Sequence, residues 1–118
     1  MSKAQLQFES EDQKGVQLVH VSGPLDSMTY DQFRAYMDPL VIQSHKRIVL
    51  DCTDLTYVNS RGVALLLHYQ RTSSLKLSFF GITGVPPRIV KEVEMLGLRK
   101  LFSWYPTLDS AMEIAAAM

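Results

Sequence analysis

Ile48-Val49-Leu50 is an unbroken apolar run, entered through Lys46-Arg47 and left through Asp51. A strand wetted on one face alternates polar and apolar side chains, so a continuous run marks a strand buried on both faces. Its neighbours follow the same logic. Leu6 and Phe8 alternate with polar residues and predict a first strand; Lys14-Gly15 predicts the turn out of it, and Val16–Val21 a hairpin partner. Tyr30, Phe33, Met37, Leu40 and Val41 fall at helical spacing behind Gly23-Pro24, with Asp26 or Ser27 placed to accept from free helical N–H groups. Pro39 predicts a kink or break in that helix.

After the buried strand, Asn59-Ser60 opens a helix with Val63, Leu66 and Leu67 on one face. Leu75–Phe80 predicts a strand ending at Gly81. Beyond Pro86-Pro87 a helix turns Ile89, Val90, Val93 and Leu96 inward and closes at Gly97. Leu101-Phe102 predicts a brief edge strand, and Thr107 or Asp109 begins an alanine-rich helix running to Met118. Strands alternating with helices imply an α/β fold: a mixed, mostly parallel sheet of four to five strands covered by about four helices. Right-handed crossovers would gather Gly23–Ser27, Cys52–Ser60 and Gly81–Val85 along one rim.

The 118 residues suit one domain, which buries about 65 % of its unfolded surface and needs no disulfide or metal staple. Twelve basic residues balance twelve acidic ones, so the cationic stripe of a nucleic-acid binder is absent. The N-terminal Met1-Ser2-Lys3-Ala4-Gln5 is polar and no signal peptide follows. The longest apolar run, Val63–Leu67, is far short of the roughly 18 residues of a membrane span. With Cys52 as sole cysteine, the expected setting is a reducing cytoplasm.

Catalytic chemistry finds little footing. His20, His45 and His68 lie far apart and outside any metal-ligand pattern, so no metal and no cofactor is expected. His20 reads as a hydrogen-bonded sheet residue and Cys52 as a small buried hydrophobe. Asp51 and Asp54 read as turn residues. No phosphate-cradling glycine loop is present, which ranks a small-molecule or nucleotide site at the strand-end rim last.

The segment Asp51-Cys-Thr-Asp-Leu-Thr-Tyr-Val-Asn-Ser-Arg-Gly62 followed by Val-Ala-Leu-Leu-Leu67 stands apart. It resembles the STAS domain family, in which a strand ends in Asp, a short turn follows, and Asp-Ser-x-Gly opens a Leu-rich helix. Val21-Ser-Gly-Pro-Leu-Asp26 upstream, and Leu77-Ser-Phe-Phe-Gly81, Val90–Leu98 and Leu101-Phe102 downstream, match in order and spacing. The resemblance covers nearly the whole of residues 1–118. It implies a partner-switching protein and not an enzyme: an anti-sigma-factor antagonist that binds an anti-sigma factor with serine-kinase activity and is reset by a serine phosphatase. The position matching the phosphorylated serine is Ser60. Asn59 stands in place of the usual Asp, and Arg61 where a small residue is usual; its cation either pairs with a phosphate or obstructs the kinase. On this resemblance Asn59 and Gly62 shape the turn, and Asp26, Ser27, Arg61 and the Thr83-Gly84-Val85 loop line the partner surface of a monomer or weak dimer.

Two other readings share these residues. Ser60 or Asn59 can be a plain N-cap, contributing about 1 kcal/mol to the helix. Other members of the family serve, without phosphorylation, as adaptor subunits in signalling or lipid-transport assemblies.

Overall fold

The computed structural model describes residues 5–42 and 46–118; Met1–Ala4, part of the polar N-terminal stretch that carries no signal-peptide pattern, and His45 lie outside the described residues. β1 (Gln7–Gln13) and β2 (Val16–Leu25) form the expected antiparallel hairpin. Its two-residue turn puts Lys14 at φ 55° and Gly15 at φ 79°, the left-handed pair that matches strand twist. Asp12 Oδ1 accepts the Gly15 N–H at 3.1 Å.

From β2 onward each strand pairs in parallel with the next: β3 (Arg47–Val58), β4 (Phe80–Thr83) and β5 (Trp104–Tyr105), in the order β1-β2-β3-β4-β5. The connections are α1 (Tyr30–Val41), α2 (Ser60–Leu75) and α3 (Pro87–Met95), with a 3₁₀ turn over Arg99–Leu101 before β5 and α4 (Leu108–Ala116) at the end. Phe33 and Met37 of α1, Val63, Leu66 and Tyr69 of α2, and Ile89 and Val93 of α3 join Val19, Val21, Ile48 and Leu50 in one core. On the other face Ala111 and Ala115 of α4 pack on Val16, Leu18, Val49 and Phe79. Ile48, Val49 and Leu50 are each buried to within 1 %, as a run covered on both faces requires.

Several boundaries differ from the sequence expectation. Gly23-Pro24 does not end β2; the strand runs through them to Leu25. β3 likewise continues through Asp51 and Asp54, read above as turn residues, and pairs with β2 up to Leu25 opposite Val58. Two register shifts, between His20 and Ser22 and between Gly23 and Pro24, space its buried residues Cys52, Leu55 and Val58 by three and erase the period-two pattern.

Helix α1 continues through Pro39 to Val41 instead of breaking there. Pro39 sits in the last turn, where few helical bonds remain to be lost. The strand expected over Leu75–Phe80 is displaced: α2 runs to Leu75, Leu77 turns at φ 57°, and β4 begins at Phe80 and continues past Gly81. Leu75 and Leu77 are 87 % and 90 % exposed, so their alternation never met a core. Leu96, expected inward, is 45 % exposed because it caps α3. Gly97 follows at φ 73° and its N–H donates to Glu94 O, the expected helix stop. Leu101-Phe102 belongs to the 3₁₀ turn and its exit, with the edge strand two residues later at Trp104. Thr107 begins α4 with a reciprocal capping pair to Ser110, and the helix stops at Ala116, short of Met118. Among the described residues no helix is long and apolar enough to cross a membrane.

Candidate functional site

Only Ile48–Asp51 of β3 pair with β4. The remaining residues, Cys52–Val58, extend beyond it beside the end of β2 and carry the Asn59 junction to the tip. There the two chain segments meet. Asn59 N–H donates to Leu25 O at 3.1 Å, and Asn59 Nδ2 stands 3.5 Å from Ser27 Oγ. The β2–α1 loop and the start of α2 thus form one surface.

Asn59 is the N-cap of α2: extended at φ −93° and ψ 174°, it accepts the Gly62 N–H through Oδ1 at 2.8 Å. Ser60 is therefore the first helical residue, exposed, and its hydroxyl makes no hydrogen bond among the described residues. Gly62 is buried because a Cβ would lie 2.8 Å from Leu25 Cγ and 2.9 Å from Val58 Cγ2. Close helix–strand approach is what this position requires. Arg61 turns toward α1, its guanidinium carbon 3.8 Å from the centre of the Tyr30 ring.

The upstream loop is self-contained. Asp26 Oδ1 accepts the N–H of Met28 at 2.9 Å and of Thr29 at 3.2 Å, while Thr29 Oγ1 accepts the Asp26 N–H at 3.0 Å and donates to Pro24 O. These bonds lie before α1, so Asp26 shapes the turn into the helix without capping it; the N-cap position is Thr29, not Asp26 or Ser27 as expected, and its side chain makes no capping bond. Ser27 is exposed at the loop's apex, and Met28 beside it is 88 % exposed.

Thr83, Gly84 and Val85 occupy a different part of the rim. Thr83 is 2 % exposed and pairs with Asp51 and Tyr105. Gly84 has φ 75°, and a Cβ there would lie 2.4 Å from Thr53 Oγ1. The three line a cavity of about 350 Å³ with Val90, Arg99, Trp104 and Tyr105, which includes none of Asp26, Ser27, Asn59, Ser60 or Arg61. Of the residues named from sequence, Asp26, Ser27, Asn59, Ser60, Arg61 and Gly62 are brought together; the Thr83–Val85 loop lies apart from their contacts.

Two exposed apolar side chains near the tip escaped the sequence reading, Met28 and, at 47 % exposure, Tyr57. A methionine in a turn and an aromatic in an apparent apolar pair carry no signal by themselves; only the strand through Tyr57 shows that it faces out. The partner of Arg61 was also hidden, since Tyr30 reads as one of the apolar positions of α1.

Away from the tip, His20 is the hydrogen-bonded sheet residue expected, with Nδ1 2.8 Å from Asp51 Oδ2. Burial alone would raise the Asp51 carboxyl, but hydrogen bonds from the Thr53 hydroxyl and N–H and from His20 outweigh it and hold the group below its ordinary range. Asp51 and Asp54 are strand residues and not turn residues, opposite His20 and Ser22. Burial, reinforced by the Asp51 charge, pushes the Cys52 thiol well above its ordinary value, leaving the buried hydrophobe the sequence suggested.

The comparisons agree with this geometry. The model of the STAS domain family matches residues 7–111. An anti-sigma F factor antagonist of Paenibacillus polymyxa is 31 % identical over 108 residues, which span 91 % of this chain and 92 % of the relative. Among solved structures, an anti-sigma factor antagonist from Mycobacterium paratuberculosis superposes with a TM-score of 0.83 at 27 % identity, covering 94 % of each chain. The Bacillus cell fate determinant SpoIIAA in its phosphorylated form shares the fold, with a TM-score of 0.68 at 21 % identity over 92 % of this chain and 98 % of that one. The extended β3, the glycine-tight start of α2 and this near-complete coverage lead to one conclusion: the chain belongs to the STAS domain family.

Proposed function

We propose that the protein is an anti-sigma-factor antagonist that binds an anti-sigma serine kinase and is switched off by phosphorylation of Ser60. One observation carries this reading: Asn59 caps α2, so the Ser60 hydroxyl is exposed with no structural work to do. The names of the relatives support the antagonist role. The chemistry fits as well. A phosphate on the first residue of a helix faces its unpaired N–H groups and the positive end of its dipole, a gain of about 0.3–1 kcal/mol at an exposed site. The fold therefore tolerates the modification, while about −1.5 to −2 charges appear beside Ser27, Met28 and Tyr57. An interface there is blocked by repulsion and desolvation, with no unfolding. A phosphatase restores it. The role sets the protein in the cytoplasm.

The test is mass spectrometry after incubation with ATP and the anti-sigma kinase. A single phosphate on Ser60 is expected, together with partner binding by Ser60→Ala and loss of binding by Ser60→Asp. Phosphate elsewhere, or equal binding by both variants, refutes the switch. A complex indifferent to ATP would identify a constitutive adaptor instead.

A further inference from the structure

We propose that the groove between α1 and α2, headed by Arg61 stacked on Tyr30, docks an acidic segment of the protein partner. That the partner is the anti-sigma kinase rests on the reading above; the chemistry of the groove does not.

The groove follows the helical stripes Tyr30, Arg34, Asp38 and Ile42 of α1 and Arg61, Ala64, Leu65 and His68 of α2, and encloses about 300 Å³. Arg34 and Asp38 offset each other there, and Arg61 supplies the remaining guanidinium. Asp38, the single carboxylate lining it, is already engaged, with Oδ1 accepting the Tyr69 hydroxyl at 2.6 Å and Oδ2 3.4 Å from Arg34. Arg61 has no carboxylate partner among the described residues; its contact is the face of the Tyr30 ring. The guanidinium has no hydrogen-bond acceptor among the described residues, which leaves its N–H donors for a carboxylate. The ring also fixes the side chain in advance, which lowers the ordering cost of binding.

Size and charge select the occupant. Tyr30 to Ile42 spans about 18 Å of helix, the reach of five or six extended residues. Arg61, with Arg34 shared with Asp38, over a floor of Ala64 and Leu65 matches a short peptide that places one acidic side chain against Arg61. A nucleic-acid backbone, which commonly engages six to ten cations, is under-supplied here on a chain of zero net charge. Arg61 follows Ser60 directly in the first turn of α2, and Ser60 itself does not line the groove.

The experiment is a ¹⁵N–¹H titration of the full chain with a hexaglutamate peptide, repeated with Arg61→Ala, and with a short DNA duplex and phosphatidylserine vesicles as competing anions. Peptide-induced shifts confined to Tyr30, Arg34, Arg61, Ala64 and His68, at least fivefold weaker in Arg61→Ala and steeply salt-dependent, are expected. Shifts centred elsewhere, no weakening in Arg61→Ala, or preferential binding of duplex or vesicles at the groove overturn the proposal. Ser60 phosphorylation is read separately: a wild-type chain phosphorylated on Ser60 but indifferent to the peptide refutes the groove alone. Groove binding without phosphorylation refutes the switch alone.

Discussion

Replacing Asn59 separates the cap of α2 from its proposed phosphoacceptor. Asn59→Ala removes the 2.8 Å bond from the Gly62 N–H and leaves an extended backbone that alanine adopts without strain. The cost is that of a lost N-cap, about 1 kcal/mol within a range of about 0.5–2. The contact to Ser27 at 3.5 Å is too long to add to it. Asn59→Asp keeps the acceptor and adds a negative charge at the helix N-terminus, worth about 0.3–1 kcal/mol in the opposite direction. Ser60→Ala removes a hydroxyl that has no hydrogen bond among the described residues and stays within about 0.5 kcal/mol of wild type. In thermal unfolding, a loss of 1 kcal/mol in a domain of this size lowers Tm by about 4 °C. The expected order of stability is therefore Asn59→Asp, wild type with Ser60→Ala, then Asn59→Ala. A Ser60→Ala variant as unstable as Asn59→Ala would mean that Ser60 is the cap, and the argument for an idle hydroxyl would fail.

Three further outcomes are expected. Gly62→Val drives methyl groups into Leu25 and Val58, both buried, and lowers stability by about 2–3 kcal/mol in urea unfolding while leaving the m-value unchanged. Because the Asp51 carboxyl is held below its ordinary range in the folded state, it stabilises the protein above about pH 4 and this contribution fades as pH falls through the lowered value. Asp51→Asn should accordingly be less stable than wild type at pH 7, with the gap closing toward pH 2 in paired denaturation curves. Cys52 should react with a thiol reagent only as fast as the protein opens, so that labelling accelerates with urea; rapid labelling of the native protein would contradict its burial.

What the residues disclose in advance depends on how local the determining contacts are. The hairpin turn at Lys14-Gly15 and the stop at Gly97 depend on backbone preference alone and were legible. The Ile48–Leu50 strand was legible because both its faces are covered. Its continuation was not, because two register shifts against β2 put Cys52, Leu55 and Val58 three apart, a spacing that suggests neither strand nor helix over so few residues. Leu75 and Leu77 misled for the opposite reason, alternating like a strand while lying in solvent. At the tip, Asn59-Ser60-Arg61-Gly62 was recognisable as a helix start. The division of labour within it depends on neighbours remote in sequence: Leu25 and Val58 against Gly62, Tyr30 beneath Arg61. No local pattern encodes such contacts.

The unequal lengths of β3 and β4 have a consequence for timescale. Residues 52–58 of β3 are laddered to β2 alone, whereas Ile48–Asp51 have ladder partners on both sides. Amide protons of the exposed outer residues Thr53, Asp54, Thr56 and Tyr57 should exchange through openings smaller than global unfolding, those at the root and at buried Cys52 only when the sheet separates. The tip is the less heavily paired end of β3, so a local opening there leaves the paired root of the sheet intact.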